Sequence, residues 1–94
     1  MSAAKDILVI DDDRDLVETL RIVLESKNYE VRAAYDGKEG FSRIQEKLPD
    51  LIVLDVMMAT DTVGFDLAFN LQNIPQYRDV PMLMLTSFPA TLAE

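Results

Sequence analysis

Three short apolar runs, each followed at once by a side chain that carries oxygen, constrain the fold of this chain more than any other feature. They are Ile7–Ile10 before Asp11, Leu51–Leu54 before Asp55, and Met82–Leu85 before Thr86. Continuous apolar runs of this length are typical of strands buried on both faces, as in parallel sheets. Parallel sheets carry their ligand sites at the carboxyl ends of the strands, so these side chains are predicted to share one pocket.

Segments with helical spacing separate the apolar runs and predict alternating strands and helices. A first helix follows Asp13, which together with Asp15 is a candidate for the N-cap. Asp15 and Glu18 also have the spacing of a capping pair. The apolar stripe of this helix recurs at three- and four-residue intervals. Its predicted inward-facing residues are Leu16, Leu20, Val23 and Leu24.

Two more helices and one more strand complete the predicted order β-α-β-α-β-α-β. The second helix begins near Asp36 and is stopped by Pro49, and a third helix covers Phe65–Asn73 with Leu71 facing inward. Tyr29–Ala33 alternates apolar and polar residues, which is typical of a strand at a sheet edge. Right-handed crossovers place helices on both faces of a parallel sheet, so the predicted fold is doubly wound α/β. The predicted stripe of the second helix is Phe41, Ile44 and Leu48.

The composition restricts the functions that this chain can have. A length of 94 residues suits one domain, which we place over residues 1–94. The net charge of −8 argues against nucleic-acid and membrane-surface binding. Cysteine and histidine are absent, so disulfides, thiol chemistry and the usual general base are excluded. The sequence contains no membrane span and no signal-peptide pattern, so we expect a cytoplasmic location.

Asp11, Asp12 and Asp55 would repel one another if the strand ends meet. Two carboxylates at about 5 Å repel by roughly 3 kcal/mol at an effective dielectric constant near 20. A hard cation such as Mg²⁺ or Mn²⁺ would relieve this repulsion, because all the candidate ligands are oxygens. Asp55 could then act as a nucleophile toward phosphorus without a base, and Thr86 offers a hydroxyl to a phosphoryl oxygen.

Each of these residues also has a simpler explanation when it is taken alone. Asp11 and Asp12 could be solvated turn residues, and Asp55 and Thr86 could be ordinary strand ends. Their conjunction at three successive strand ends favours a shared site. Other sites fail on spacing: the acids lack the glycine and final glutamate of a calcium loop, and no glycine-rich phosphate loop follows the first run. A dehalogenase-type phosphatase would need an acid where Met57 stands.

Taken together, the motifs resemble a response-regulator receiver domain over essentially the whole chain. The segments that carry the resemblance are Ile7–Asp13, Asp36–Gly37, Pro49–Met58 and Val80–Thr86. The resemblance implies a flavodoxin-like fold with about four strands in the order 2-1-3-4 and three helices, without the family's usual last strand and helix. It also implies a phosphoryl acceptor, served by a histidine kinase or phosphotransfer protein, and not an enzyme beyond self-dephosphorylation.

The resemblance assigns a role to each candidate residue by its position in the motifs. Asp55 matches the phosphoacceptor, and Thr86 matches the hydroxyl that senses the phosphoryl group. Asp12 matches the direct metal ligand, Asp11 matches the acid beside it, and Met57 stands where the family supplies a backbone carbonyl to the metal. The implied cofactor is Mg²⁺ or Mn²⁺.

The chain departs from the family pattern at several points. Ala59 stands where proline is usual, the following loop Thr60–Gly64 is about one residue longer than usual, and Ser87 stands where alanine is common. The family's fifth strand, which ends in a lysine that grips the phosphoryl group, has no counterpart in these 94 residues. The run Met82–Leu85 is therefore predicted to form an exposed apolar sheet edge that favours homo-oligomers.

Three functions remain open at this point. The intact acids favour a phosphorylatable receiver, whereas the missing lysine favours a degenerate receiver that acts only as an interaction or dimerisation module. A free-standing metal-dependent phosphatase is disfavoured, because the sequence offers no second catalytic acid and no general base.

Overall fold

Strands and helices alternate along the chain in a computed structural model that describes residues 4–55, 71 and 73–85. The described elements are β1 (Asp6–Ile10), α1 (Arg14–Glu25), β2 (Glu30–Ala34), α2 (Gly37–Glu46), β3 (Leu51–Asp55) and β4 (Met82–Leu85). Leu71 and Asn73 are helical, at the end of the predicted third helix, and the rest of that helix lies outside the described residues. None of the helices described is long and apolar enough to span a membrane.

The four strands form one parallel sheet in the order β2-β1-β3-β4. This order confirms the predicted doubly wound α/β fold and the 2-1-3-4 arrangement. The central strand β1 is buried along its whole length, as its continuous apolar sequence predicted. All four carboxyl ends point the same way, so Asp11, directly after β1, and Asp55, at the end of β3, lie at one edge of the sheet.

The two faces of the sheet carry separate buried clusters. Side chains alternate along each strand, so Leu8 and Ile10 of β1 face α2, whereas Ile7 and Val9 face α1. The α2-side cluster contains Leu8, Ile10, Ala34, Ile44, Ile52, Leu54, Leu71 and Tyr77. The α1-side cluster contains Ile7, Val9, Val17, Ala33 and Val53. The predicted burial of Ile44 and Leu71 is confirmed.

Of the two predicted N-caps of α1, the structure confirms Asp13 and not Asp15, and the buried face of the helix differs from its prediction. The side chain of Asp13 is the N-cap and accepts hydrogen bonds from the backbone N–H groups of Asp15 and Leu16 at 3.0 and 3.1 Å. The predicted capping pair of Asp15 and Glu18 is therefore wrong, since Asp15 lies inside the first turn. The buried face centres on Val17, with Leu20 and Leu24 beside it.

The predicted burial of Val23 in α1 is wrong, because Val23 is 50% exposed. Residues 17, 20 and 24 share one side of a helix, and position 23 is turned away from the line through them. The prediction had included Leu16 in place of Val17, which displaced the centre of the stripe by one residue.

Helix α2 begins at its predicted cap but ends earlier than predicted. The Asp36 side chain accepts a hydrogen bond from the Glu39 N–H at 2.7 Å, and the Glu39 carboxylate accepts one from the Tyr35 N–H at 2.8 Å. The helix ends at Glu46, and Lys47 is extended. Leu48 is consequently 49% exposed, so its predicted place in the apolar stripe is wrong.

A buried ion pair connects β1, β2 and α2 at the amino edge of the sheet. The guanidinium of Arg32 donates to the carboxylate of Asp6, with an Nη2–Oδ2 distance of 2.6 Å. The same guanidinium donates to the backbone carbonyls of Arg43 and Lys47 at 2.9 and 2.8 Å. Arg32 therefore neutralises an acid that is 3% exposed and also satisfies carbonyl groups at the end of α2.

Substitution of Arg32 by methionine is expected to lower the free energy of unfolding by about 3 kcal/mol, because Asp6 would stay buried without its cation. Urea denaturation followed by circular dichroism measures this change. The matched control is Arg78→Met at an exposed position, which we expect to change stability by less than about 0.5 kcal/mol. Equal stability of the two variants would contradict this role of Arg32.

Candidate functional site

Three acids meet at the carboxyl edge of the sheet because two of their strands are neighbours. Ile10 of β1 and Leu54 of β3 are partners in the parallel ladder, and each is followed by an aspartate. One carboxylate oxygen from each of Asp11, Asp12 and Asp55 lies within 4.8 Å of the others. The structure thus brings together the three acids that the sequence analysis singled out.

Asp11 is fixed more firmly than an ordinary strand-end residue. Its backbone N–H donates to the Ala34 carbonyl of β2 at 3.0 Å, and its carboxylate accepts from the Asp13 N–H at 2.9 Å. Asp11 is only 2% exposed and Asp55 only 4%, whereas Asp12 is exposed. Two of the three acids are therefore held inside the protein, and the third faces solvent.

The environment of Asp11 favours its protonated form. Burial is the main cause, and together with the neighbouring acids it raises the pKa of Asp11 from 3.8 to about 6. The hydrogen bond from the Asp13 N–H acts in the opposite direction, while the charges of Asp55 and Asp12 and a side-chain hydrogen bond with Asp55 add to the rise. At pH values near 6 and below, the acidic cluster thus carries less than its formal negative charge unless a cation neutralises it.

The donor set of this cluster fits a hard divalent cation. Three carboxylate oxygens within 4.8 Å of one another supply only oxygen ligands, which Mg²⁺ and Mn²⁺ prefer. Mg²⁺ commonly binds through one or two carboxylates and keeps several waters, so an exposed Asp12 beside two buried acids suits it. Asp13 is not a candidate ligand, because its carboxylate is used as the N-cap of α1.

Two predicted site residues cannot be located in this cluster. Thr86 and Met57 lie outside the described residues, as do Ala59, Gly64 and Ser87. Their roles stay predictions. Within the described part, β4 ends at Leu85, which pairs with Asp55 in the ladder.

A cation–aromatic contact at this edge of the sheet is not among the predicted features. The guanidinium carbon of Arg14 lies 3.9 Å from the centre of the Tyr35 ring. Arg14 opens α1 and Tyr35 follows β2, so the contact joins these two elements. A tyrosine directly after the edge strand and an arginine directly after the cap were the available signals.

Comparison with known proteins identifies the relatives of this chain. A sequence profile of the response regulator receiver domain matches residues 7–92. An uncharacterized 14.6 kDa protein of Leptolyngbya boryana is 37% identical over 86 residues, which cover 92% of this chain and 65% of the relative. The phosphate regulon transcriptional regulatory protein PhoB of Rhizobium meliloti is 37% identical over 81 residues, covering 86% of this chain and 35% of PhoB. The chain therefore spans less than two thirds of either relative.

Solved structures share the fold. The N-terminal domain of a response regulator receiver protein from Methanoculleus marisnigri superposes with a TM-score of 0.84 at 34% identity, covering 96% of this chain and 72% of that one. The response regulator TrrA of Thermotoga maritima, solved in complex with Mg²⁺ and BeF, superposes with a TM-score of 0.80 at 27% identity. That match covers 96% of this chain and 76% of TrrA.

The raised pKa of Asp11 predicts a specific dependence of stability on pH in the absence of divalent metal. The folded protein binds the Asp11 proton more tightly than the unfolded chain does, so the free energy of unfolding should fall as pH rises from about 4 to about 6. We expect this contribution to be on the order of 2 kcal/mol. Urea titrations in EDTA at several pH values measure it.

Asp11→Asn should remove that pH-dependent contribution, because the amide does not titrate. The matched control is Asp79→Asn, which changes an exposed acid outside the cluster and should keep the wild-type slope. A slope that is the same in all three proteins would contradict the assignment to Asp11.

Proposed function

This chain belongs to the response regulator receiver family, and on that premise we propose that it accepts a phosphoryl group on Asp55 within a two-component phosphorelay. The convergence of Asp11, Asp12 and Asp55, with ligand oxygens within 4.8 Å of one another, carries the proposal. Asp55 ends a buried strand and is itself 4% exposed, so its carboxylate is held in position by the sheet. The proposed donor is a phosphohistidine on a histidine kinase or phosphotransfer protein.

The proposed reaction needs no general base on this chain. A carboxylate oxygen of Asp55 attacks the phosphorus, the bond between phosphorus and the partner's histidine nitrogen breaks, and the nitrogen keeps the electron pair of that bond. The product is an acyl phosphate on Asp55, whose hydrolysis returns the carboxylate and inorganic phosphate. Such transfer depends mainly on positioning and on neutralisation of charge.

The proposed metal is Mg²⁺ or Mn²⁺, held by Asp11, Asp12, Asp55 and the backbone carbonyl of Met57. When bound, the ion would supply the positive charge that phosphoryl oxygens and three carboxylates require. The oxygen-only donor set supports this choice, and so does the Mg²⁺ and BeF complex of TrrA. Asp11 would act beside Asp12, with its orientation fixed by the Asp13 N–H. Thr86 is the proposed sensor of the phosphoryl group.

Membership of this family also limits the functions that we propose for the chain. Receiver domains are generally signalling modules, and we propose no turnover of an external substrate. PhoB is named as a transcriptional regulator, but this chain matches only 35% of its length, so we propose no nucleic-acid binding for these residues. The cytoplasmic location stays a prediction, as does the absence of membrane binding.

Incubation with Mg²⁺ and acetyl phosphate is expected to add one phosphoryl group, seen by intact-mass spectrometry. Asp55→Asn and EDTA should each abolish the labelling, because the first removes the nucleophile and the second removes the cation. Asp12→Asn should raise the Mg²⁺ concentration required by about tenfold or more. Asp15→Asn is the matched control, since Asp15 is an exposed acid outside the cluster and should leave labelling unchanged. Persistent labelling of Asp55→Asn would disprove Asp55 as the acceptor.

A second candidate function, as an interaction or dimerisation module, is favoured by the outer strand β4. Leu83 is 53% exposed and Met84 is 43% exposed, and these neighbours point to opposite faces of the sheet. Among the described strands, β4 pairs only with β3. An exposed apolar edge strand is a template for pairing with another chain, so a homo-oligomer through β4 is the form that we propose for this alternative.

Sedimentation velocity over a range of protein concentrations tests the alternative. The wild-type chain is expected to associate, and Leu83→Lys should shift it toward the monomer because a charge on the edge opposes strand pairing. Ile22→Lys adds the same charge at a residue of α1 that is 61% exposed, and it should leave the association unchanged. A wild-type chain that stays monomeric at the highest concentration would refute this function.

A further inference from the structure

The outer edge of β2 is the second open edge of the sheet, and it differs in chemistry from β4. The Glu30 N–H donates to the backbone carbonyl of Lys5, and the Ala34 carbonyl accepts from the backbone N–H of Asp11. The backbone groups of residues 30, 32 and 34 therefore point toward β1. By the alternation of a parallel ladder, the backbone groups of Val31 and Ala33 point outward. Among the described strands, β2 has no neighbour on that side.

A groove of about 320 Å³ runs along this edge, and arginines form half of its described lining. The chain as a whole contains 17 acidic and 9 basic residues, yet the described residues that line this β2 groove include three arginines and no acid. The lining residues are Arg21, Val31, Arg32, Ala33, Tyr35 and Arg43. Acids of this chain lie beside all three arginines, so an anionic partner would compete with Glu18 for Arg21 and with Glu39 and Glu46 for Arg43.

Two of the three arginines hold their own acidic partners loosely. The Nε atom of Arg21 is buried and has no hydrogen-bond acceptor in the described structure, and the Glu18 oxygen paired with it is 3.8 Å away. The Nη2 atom of Arg43 lies 3.6 Å from Oε2 of Glu39, and its Nη1 atom lies 3.4 Å from Oε1 of Glu46. All three side chains are well exposed. The Arg43 pairs are exposed and contribute little, and the 3.8 Å contact of the half-buried Arg21 with Glu18 is long, so both guanidinium groups can exchange partners.

Arg32 differs from the other two, because its guanidinium is fully engaged with Asp6 and with backbone carbonyls of α2. The Arg32 side chain is therefore held in place, whereas the side chains of Arg21 and Arg43 can change partners. Arg21 belongs to α1 and Arg43 to α2, so the two adaptable cations stand on opposite faces of the same strand.

We propose that an extended acidic segment of a partner protein adds as a strand to the outer edge of β2. Main-chain hydrogen bonds would join it to Val31 and Ala33, as in other cases of strand addition. Successive side chains of an added strand point to opposite faces, so two consecutive acids reach Arg43 and Arg21 in turn. Charge complementarity selects this occupant over a second copy of the chain, whose own β2 edge would bring like charges together.

The test is a titration of the isotope-labelled chain with a blocked peptide, Thr-Val-Glu-Glu-Val-Thr, followed by amide resonances. The largest shifts are expected at Val31 and Ala33. Arg21→Met and Arg43→Met should each weaken binding about fivefold. Arg78→Met changes the net charge equally at an exposed position outside the groove and should leave the affinity unchanged.

Variants of the peptide test the same proposal with the wild-type protein, so that the result does not depend on the folding of a mutant. A peptide with glutamine in place of glutamate, or with N-methylated backbone nitrogens, should lose binding, since the first lacks charge and the second lacks ladder donors. The proposal is overturned if the N-methylated peptide binds equally well, if Arg78→Met weakens binding as much as Arg21→Met, or if the shifts fall on Leu83–Leu85. Shifts at β2 that depend only on protein concentration would assign the edge to a second copy and equally overturn it.

Discussion

Parallel pairing of β1 with β3 is the interaction on which the rest of this molecule depends. It places Ile10 beside Leu54, and through them it places Asp11 beside Asp55. A slip of one residue in this ladder would turn the buried side chains of β3 to the opposite face and would separate the two acids. The apolar clusters on the two faces therefore stabilise the geometry of the acidic cluster as well as the sheet itself.

The acidic cluster would couple the stability of the fold to a bound cation through charge. Burial of Asp11 and Asp55 disfavours three negative charges in one place, and the pKa of Asp11 is accordingly raised to about 6. A bound cation would remove that penalty, so ligand binding and folding stability are linked. The hydrogen bond from the Asp13 N–H links this chemistry to α1, because the same residue caps that helix.

The sequence predicted what periodicity and strand ends control, and it missed what depends on packing between elements. The order of the strands and the meeting of Asp11, Asp12 and Asp55 followed from apolar runs and from the geometry of parallel sheets. The orientation of α1 did not follow, because a shift of one residue decides between Val17 and Val23. Alternation in β2 placed Arg32 on a wet face, and only the tertiary structure supplies its partner Asp6, 26 residues away.

The unlike edges of the sheet have a consequence for the size of any assembly. Two copies that joined through their apolar β4 edges would form one continuous sheet with β2 at both ends. Each end would then present arginines, which repel a further copy of the same end, and the contact would close as a symmetric pair. A sheet with two apolar edges would instead have grown into a filament. In such an assembly, the arginines beside β2 would limit growth of the sheet beyond a pair.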